Sequence, residues 1–416
     1  MTVRQTAVRE AAMPVVPRQG PRPMALHLAV AMATSMSSLA ALPIARGGSL
    51  NWDPALDEQA AAISRLLSAS EPDAVVGAVA AESQRRLAEM LAGIQAYQAH
   101  PYRRDLADVP AVWREGGTRL LDYGGAPGAP TVLFVPSLVN RAYILDLSAR
   151  RSLLRWLAAN GVRPLLVDWA APGPDERDFD LTDYIAGRLE RALDAALHLA
   201  DGKVGLVGYC MGGNLALGLA LRRPGDLTRL ALMATPWDFQ AELGAQARLF
   251  AALEEVLDDI LAAFGELPVD ILQALFAGLD PNLAARKFRR FARLDPAGRP
   301  AGDFVALEDW LNDGVPLVSK VARECLVGWY GRNAPLAGDW RVAGEPVAPE
   351  RLTLPALLAM PADDRIVPPA SAQALADRLP RATTISPRAG HIGMVAGSRA
   401  KRALWRPLRD WLAVDA

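Results

Sequence analysis

From residue 131 onward, short apolar runs alternate with amphipathic stretches at lengths that suit strands and crossover helices. "TVLFVPS" ends at Pro136 and predicts a strand buried on both faces. "DLSARRSLLRWLAANG" has the spacing of an amphipathic helix stopped by Gly161. "RPLLVDW" predicts the next buried strand. "DLTDYIAGRLERALDAALHLAD" predicts a helix with Asp180 as its N-cap. "KVGLVGYCMGG" reads as strand, tight turn and the start of a helix that runs on through "NLALGLALRR". "LTRLALMATP" is another strand. The alternation then stops. From about 238 to 335 the pattern is helical, as in "ARLFAALEEVLDDILAAFG", "DILQALFAGL", "AARKFRRFARL" and "LEDWLNDG". It returns with "LTLPALLAMPADD", "SAQALADRLP", "ATTISPRAGH" and a last helix through "ALWRPLRDWLAV". The prediction is one α/β domain. It has a mostly parallel sheet with helices on both faces (111–237 and 336–416), interrupted by a helical cap (238–335).

Residues 1–110 read as a helical extension. Pro14, Pro17 and Pro21 mark the first 23 residues as a disordered lead, and "TRLLDYGG" beyond the extension reads as strand and turn. No residue from Pro23 to Ala45 is charged, with Arg22 and Arg46 on either side. That stretch is long enough for a signal or membrane anchor. It is also rich in Ala, poor in Leu, and carries His27, Thr34, Ser35, Ser37, Ser38 and Pro43. Its weak transfer energy favours a helix packed on the domain or lying on an apolar surface. A second helical stretch runs from about Pro54 to Tyr97 and is broken by His100-Pro101-Tyr102.

Composition narrows the function. The 416 residues are 51% hydrophobic and 22% charged, with a net charge of -1, so nothing points to nucleic acid. The arginine excess over lysine and the abundant alanine match the coding bias of a GC-rich bacterial genome. Two cysteines, Cys210 and Cys325, make no disulfide framework and no zinc spacing, and a reducing, cytoplasmic compartment follows. No phosphate-binding or dinucleotide glycine motif is present, and neither metal nor cofactor is expected.

The chemistry gathers at Gly208-Tyr209-Cys210-Met211-Gly212, a G-x-S-x-G nucleophile elbow with Cys in place of Ser. The nucleophile of such an elbow sits in a strained strand-to-helix turn, so its neighbours must be small. The helix behind it aims N–H groups and positive dipole at the sulfur. Such an elbow between strand and helix predicts the α/β-hydrolase fold, on which an acid and then a histidine follow in chain order. Of four histidines only His391, in "RAGHIGMV", lies after the cap. His27, His100 and His198 read as structural. The acid comes from "LLAMPADDRIVPP", where Asp364 is preferred and Asp363 is the fallback. Asp364 would orient His391, His391 would take the thiol proton, and Cys210 would attack. The Met211 N–H and an N–H near Ser137 or Leu138 would form the oxyanion hole. Cys325, with no His near it in sequence, reads as a packed thiol, and Asp168 as a loop-stabilising residue rather than a second acid. A cysteine here suits acyl transfer from a thioester. The exchange keeps the acyl group activated, so a weak alcohol nucleophile can take it next.

These segments resemble the polyhydroxyalkanoate synthases, closest to the catalytic subunit of the two-component, class III type. The resemblance runs from about residue 130 to the C-terminus. It is carried by "VPSLVNRAYILDLSARRSLLRWLAANG", "LLVDW", "GYCMGGNLALGLAL", "TPWDF", "LPALLAMPADDRIVPP" and "GHIGMVAGSRAKRAL". It places the family's Cys on Cys210, its His on His391 and its Asp on Asp364. It implies polymerisation of 3-hydroxyacyl-CoA, a homodimer, association with polyester granules, and in some members a second synthase subunit. Arg365 departs from the family, which usually has His after the catalytic Asp. The same scaffold also serves thioesterases, esterases and depolymerases, or a granule-surface binding protein that does not polymerise.

Overall fold

The protein is described by a computed structural model covering residues 18–50, 52–200, 202–242, 244 and 252–413. Contacts divide it into two units. One joins residues up to Tyr102 with Asn282–Val305, and the other joins Arg103–Pro281 with Ala306–Ala416.

The larger unit is built on eight strands in chain order: Ala111–Glu115 (β1), Thr118–Asp122 (β2), Thr131–Val135 (β3), Arg163–Asp168 (β4), Val204–Tyr209 (β5), Leu227–Met233 (β6), Ala356–Ala359 (β7) and Ala382–Ile385 (β8). They lie side by side as β1-β2-β4-β3-β5-β6-β7-β8. β2 runs antiparallel to both neighbours, and the other pairings are parallel. Every residue of β3 and β5 is buried, as expected for central strands covered on both faces. Register pairs Leu133 with Leu206 and Leu206 with Leu230, so one apolar row crosses the sheet centre. The pattern of apolar positions does not predict β1. It is an edge strand of half-exposed residues, with little apolar signal to read.

The helix read from Asp146 to Gly161 is shorter in the structure. Asp146–Ser148 and Arg151–Ser152 pair as a small hairpin, and only Leu153–Ala158 is helical. The buried Asp146 carboxylate holds Arg155 Nε at 2.9 Å and Arg104 Nη2 at 3.1 Å. Ser152 Oγ caps the helix by accepting from Arg155 N–H at 3.0 Å. These polar partners start the helix seven residues late. Asp180 does cap its helix: its Oδ1 accepts from Asp183 N–H at 2.9 Å and Asp183 Oδ2 accepts from Asp180 N–H at 3.0 Å.

The described residues between 238 and 335 are largely helical, with the two-residue strands Glu266–Leu267 and Leu317–Val318 paired among them. The predicted helix "ARLFAALEEVLDDILAAFG" is present over Glu254–Phe264, and its first five residues lie outside the described residues.

In the smaller unit the helices Met24–Ala40 and Pro72–Ala99 pack with Leu283–Phe291. Met90, Ile94, Tyr97, Phe288 and Phe291 form its core. Gly93 allows the approach, because a Cβ there would lie 2.0 Å from the Phe288 carbonyl oxygen. Residues 282–305, read from the sequence with the cap, therefore pack with the N-terminal helices. Met24–Ala40 has no fully buried residue. Among the described residues no helix is long and apolar enough to cross a membrane. Most of the predicted disordered lead, residues 1–17, lies outside the described residues.

Candidate active site

β5 delivers Cys210 at the C-terminal edge of the sheet, directly before the helix Met211–Arg222. Cys210 takes φ 56° and ψ -131°, a backbone conformation that costs a non-glycine residue energy and must be held by its surroundings. Its N–H donates to the Met233 carbonyl at 2.8 Å, and its carbonyl accepts from Gly213 N–H at 2.8 Å. Two glycines make the turn possible. A Cβ on Gly208 would sit 2.4 Å from Gly213 Cα, and one on Gly212 would sit 2.2 Å from the Val135 carbonyl oxygen. Ten consecutive residues of the helix behind the nucleophile, Met211–Ala220, are buried.

Asp364 comes from the loop after β7, and His391 opens the helix His391–Ala396 after β8. Asp364 is buried, whereas Asp363 is exposed. Asp364 Oδ2 lies 2.7 Å from His391 Nδ1. Its Oδ1 accepts from the N–H groups of Ile366 and Val367, both at 2.9 Å. The carboxylate is thus fixed from the side away from the imidazole. The other ring nitrogen of His391 is left to the Cys210 side chain, which is within hydrogen-bonding contact. Burial alone would lower the His391 imidazole. Its interactions with Cys210 and Asp364 outweigh burial and push the group up to about 10. Tyr209, packed 5.3 Å ring to ring against His391, donates its hydroxyl to the His391 carbonyl at 3.4 Å.

Ser137 and Leu138 follow β3, across from the elbow. Ser137 Oγ accepts from Val139 N–H at 3.1 Å. Among the described residues, the amides of Met211 and Leu138 carry no hydrogen bond to another protein group. Both are therefore available as donors on the C-terminal side of the sheet.

A family model described as the alpha/beta hydrolase fold matches residues 130–397. Three curated proteins named poly(3-hydroxyalkanoate) polymerase subunit PhaC match over about 290 to 314 residues. That of Allochromatium vinosum is 30% identical over 314 residues, covering 73% of this chain and 87% of the relative. That of Synechocystis sp. is 31% identical over 291 residues, covering 68% and 77%. The chain belongs to the poly(3-hydroxyalkanoate) polymerase family. The Haloferax mediterranei member is 29% identical over 310 residues, and this chain spans 63% of its length.

Within this member of the polymerase family the remaining singled-out residues lie elsewhere. Cys325 is buried, and burial together with the nearby Glu324 charge pushes its thiol up. Asp168 ends β4, ion-pairs with Arg119 and accepts from Ala170 N–H at 3.2 Å. His27 Nε2 meets the Arg22 carbonyl at 3.1 Å, His100 Nε2 meets the Pro296 carbonyl at 2.8 Å, and His198 is exposed. Arg365 points outward and pairs with Asp280 at 3.2 Å. Tyr209 and the two amides that hold Asp364 were missed in the sequence. Tyr209 lies inside the elbow motif, which was its only signal.

Proposed function

We propose that the chain polymerises 3-hydroxyacyl groups from coenzyme A thioesters into polyhydroxyalkanoate, with the acyl chain carried on Cys210. The observation that supports this best is a strained cysteine elbow facing a buried His391–Asp364 pair in a member of the polymerase family. Cys210 Sγ, its proton already held by His391, adds to the thioester carbonyl carbon. The carbonyl oxygen becomes an oxyanion, held by the N–H of Met211 and that of Ser137 or Leu138. One such donor is typically worth about 3–4 kcal/mol of barrier. The intermediate collapses, and the coenzyme A sulfur leaves with the proton from His391. His391 then takes the hydroxyl proton of the next 3-hydroxyacyl-CoA. That oxygen attacks the Cys210 thioester, forms the ester, and returns the thiol. Asp364 keeps His391 oriented and stabilises the imidazolium throughout. No cofactor enters this scheme. A homodimer, a second synthase subunit and a place at the cytoplasmic granule surface belong to the same proposal, on the family resemblance alone.

The test is intact-protein mass after rapid mixing with 3-hydroxybutyryl-CoA. A hydroxyacyl adduct that disappears in Cys210→Ala is expected. An adduct that persists in that variant would refute the assignment.

A further inference from the structure

The loop that carries the second candidate oxyanion donor is gripped from two sides. On the core side Trp169 Nε1–H donates to the Pro136 carbonyl at 3.0 Å. Beyond Ser137 and Leu138 the grip passes to residues 310–315, outside the sheet altogether. Trp310 Nε1–H donates to the Arg141 carbonyl at 2.8 Å. Val315 N–H donates to the Val139 carbonyl at 3.3 Å, and Asn140 forms an antiparallel bridge with Gly314. Arg141 pairs with Asp313 at 3.5 Å. The segment is itself tied down, since Gln273 Nε2 donates to the Leu311 carbonyl at 3.1 Å. Gly314 leaves no spare room: a Cβ there would stand 3.0 Å from Val269 Cγ1 and 3.2 Å from Gln273 Nε2. Trp310 is 4% exposed, so the indole itself is held in the interior.

A backbone N–H stabilises an oxyanion only if it is aimed before the charge develops. Ser137 and Leu138 lie between the two grips, and one of the grips belongs to the cap. We propose that the segment Trp310–Val315 positions the second oxyanion donor, and that the Trp310 indole N–H is the side-chain group through which it does so. This rests on the acyl-transfer reading above. Trp310 does not meet the substrate; it is a positioning residue acting through the Arg141 carbonyl. The consequence is that a displacement of the cap segment would also relax the oxyanion hole, so acyl transfer requires the segment in place.

The test uses an aldehyde analogue of the acyl group beside the matching alcohol. The Cys210 sulfur adds to the aldehyde carbon, and the former carbonyl oxygen gains the thiol proton, giving a hemithioacetal. The alcohol binds without forming that centre. Trp310→Phe keeps an aromatic ring, smaller than the indole, and removes the N–H. The expected result is about a tenfold loss of aldehyde affinity and of kcat, with alcohol affinity and KM within twofold. Gly314→Ala should act in the same direction, and it decides the matter if Trp310→Phe does not fold. Equal loss for both analogues, or no loss for either, would overturn the positioning role. Failure of the unsubstituted protein to form any aldehyde adduct would overturn the Cys210 reading and this inference together.

Discussion

Replacing Asp364 by Asn separates the two jobs of its carboxylate. Oδ1 accepts two backbone N–H bonds at 2.9 Å, and an amide oxygen can still do so. The amide NH2 then falls where Oδ2 stood, 2.7 Å from His391 Nδ1. An NH2 group cannot accept a proton, so the imidazole must present a bare Nδ1 and carry its proton on Nε2. That nitrogen can then no longer take the Cys210 proton. The imidazolium also loses a charged hydrogen bond worth about 1.5–3 kcal/mol. In a serine triad the same change costs about 10⁴ in kcat. A thiol gives up its proton more readily than a hydroxyl, so the expected loss here is about 10²–10⁴, or ~2.7–5.5 kcal/mol. Chromatographic coenzyme A release from 3-hydroxybutyryl-CoA reads it. Because the backbone bonds survive, the thermal midpoint should stay within a few degrees. Asp363→Asn, at an exposed carboxyl, is the control and should change kcat less than twofold. Retention of activity in Asp364→Asn, or equal damage from Asp363→Asn, would refute the reasoning.

Gly212→Ala puts a methyl 2.2 Å from the Val135 oxygen and 2.6 Å from the Pro136 carbonyl carbon, both backbone. It should cost about 3 kcal/mol or more in urea unfolding, whereas Gly225→Ala, with open space around it, should cost under ~1 kcal/mol. Equal stability of the two variants would contradict the elbow packing. Arg365→His removes an exposed pair with Asp280, worth about 0–1 kcal/mol, and should leave kcat within twofold; a tenfold change would show that Arg365 reaches the substrate. Burial, aided by the Asp180 and Asp183 charges and opposed by the Leu181 N–H bond, pushes Glu324 from 4.5 up to about 7. A raised folded value gives stability that is full below about 4.5 and is lost as pH rises through about 7. Glu324→Gln should flatten the urea midpoint across that window and stabilise the protein above it; an unchanged slope would count against this.

The central strands and the elbow were legible because burial on both faces leaves an uninterrupted apolar run, and because the turn demands small residues at 208 and 212. Chain order then led to His391. Apolar periodicity alone does not separate Asp363 from Asp364, since adjacent residues share one local signal; the family motif favours Asp364, which is the buried one of the two. It also failed where polar partners distant in sequence decide the structure. Arg104 draws Asp146 out of the helix that its own segment favours. Phe288 and Phe291 meet Met90 and Ile94 across some two hundred residues, which no periodicity records. The hold of Trp310 on the Arg141 carbonyl is invisible for the same reason, because a backbone acceptor carries no side-chain signature.

Polymerisation through Cys210 is the step on which the chemistry proposed for this site depends. The most direct measurement follows coenzyme A release from 3-hydroxybutyryl-CoA by the purified protein and by Cys210→Ala, alone and with a candidate partner subunit, and identifies the product. Release that requires Cys210, with an insoluble polyester as product, is expected. Release yielding only free hydroxy acid would instead mark a thioesterase on the same scaffold, and release that survives Cys210→Ala would contradict the account outright.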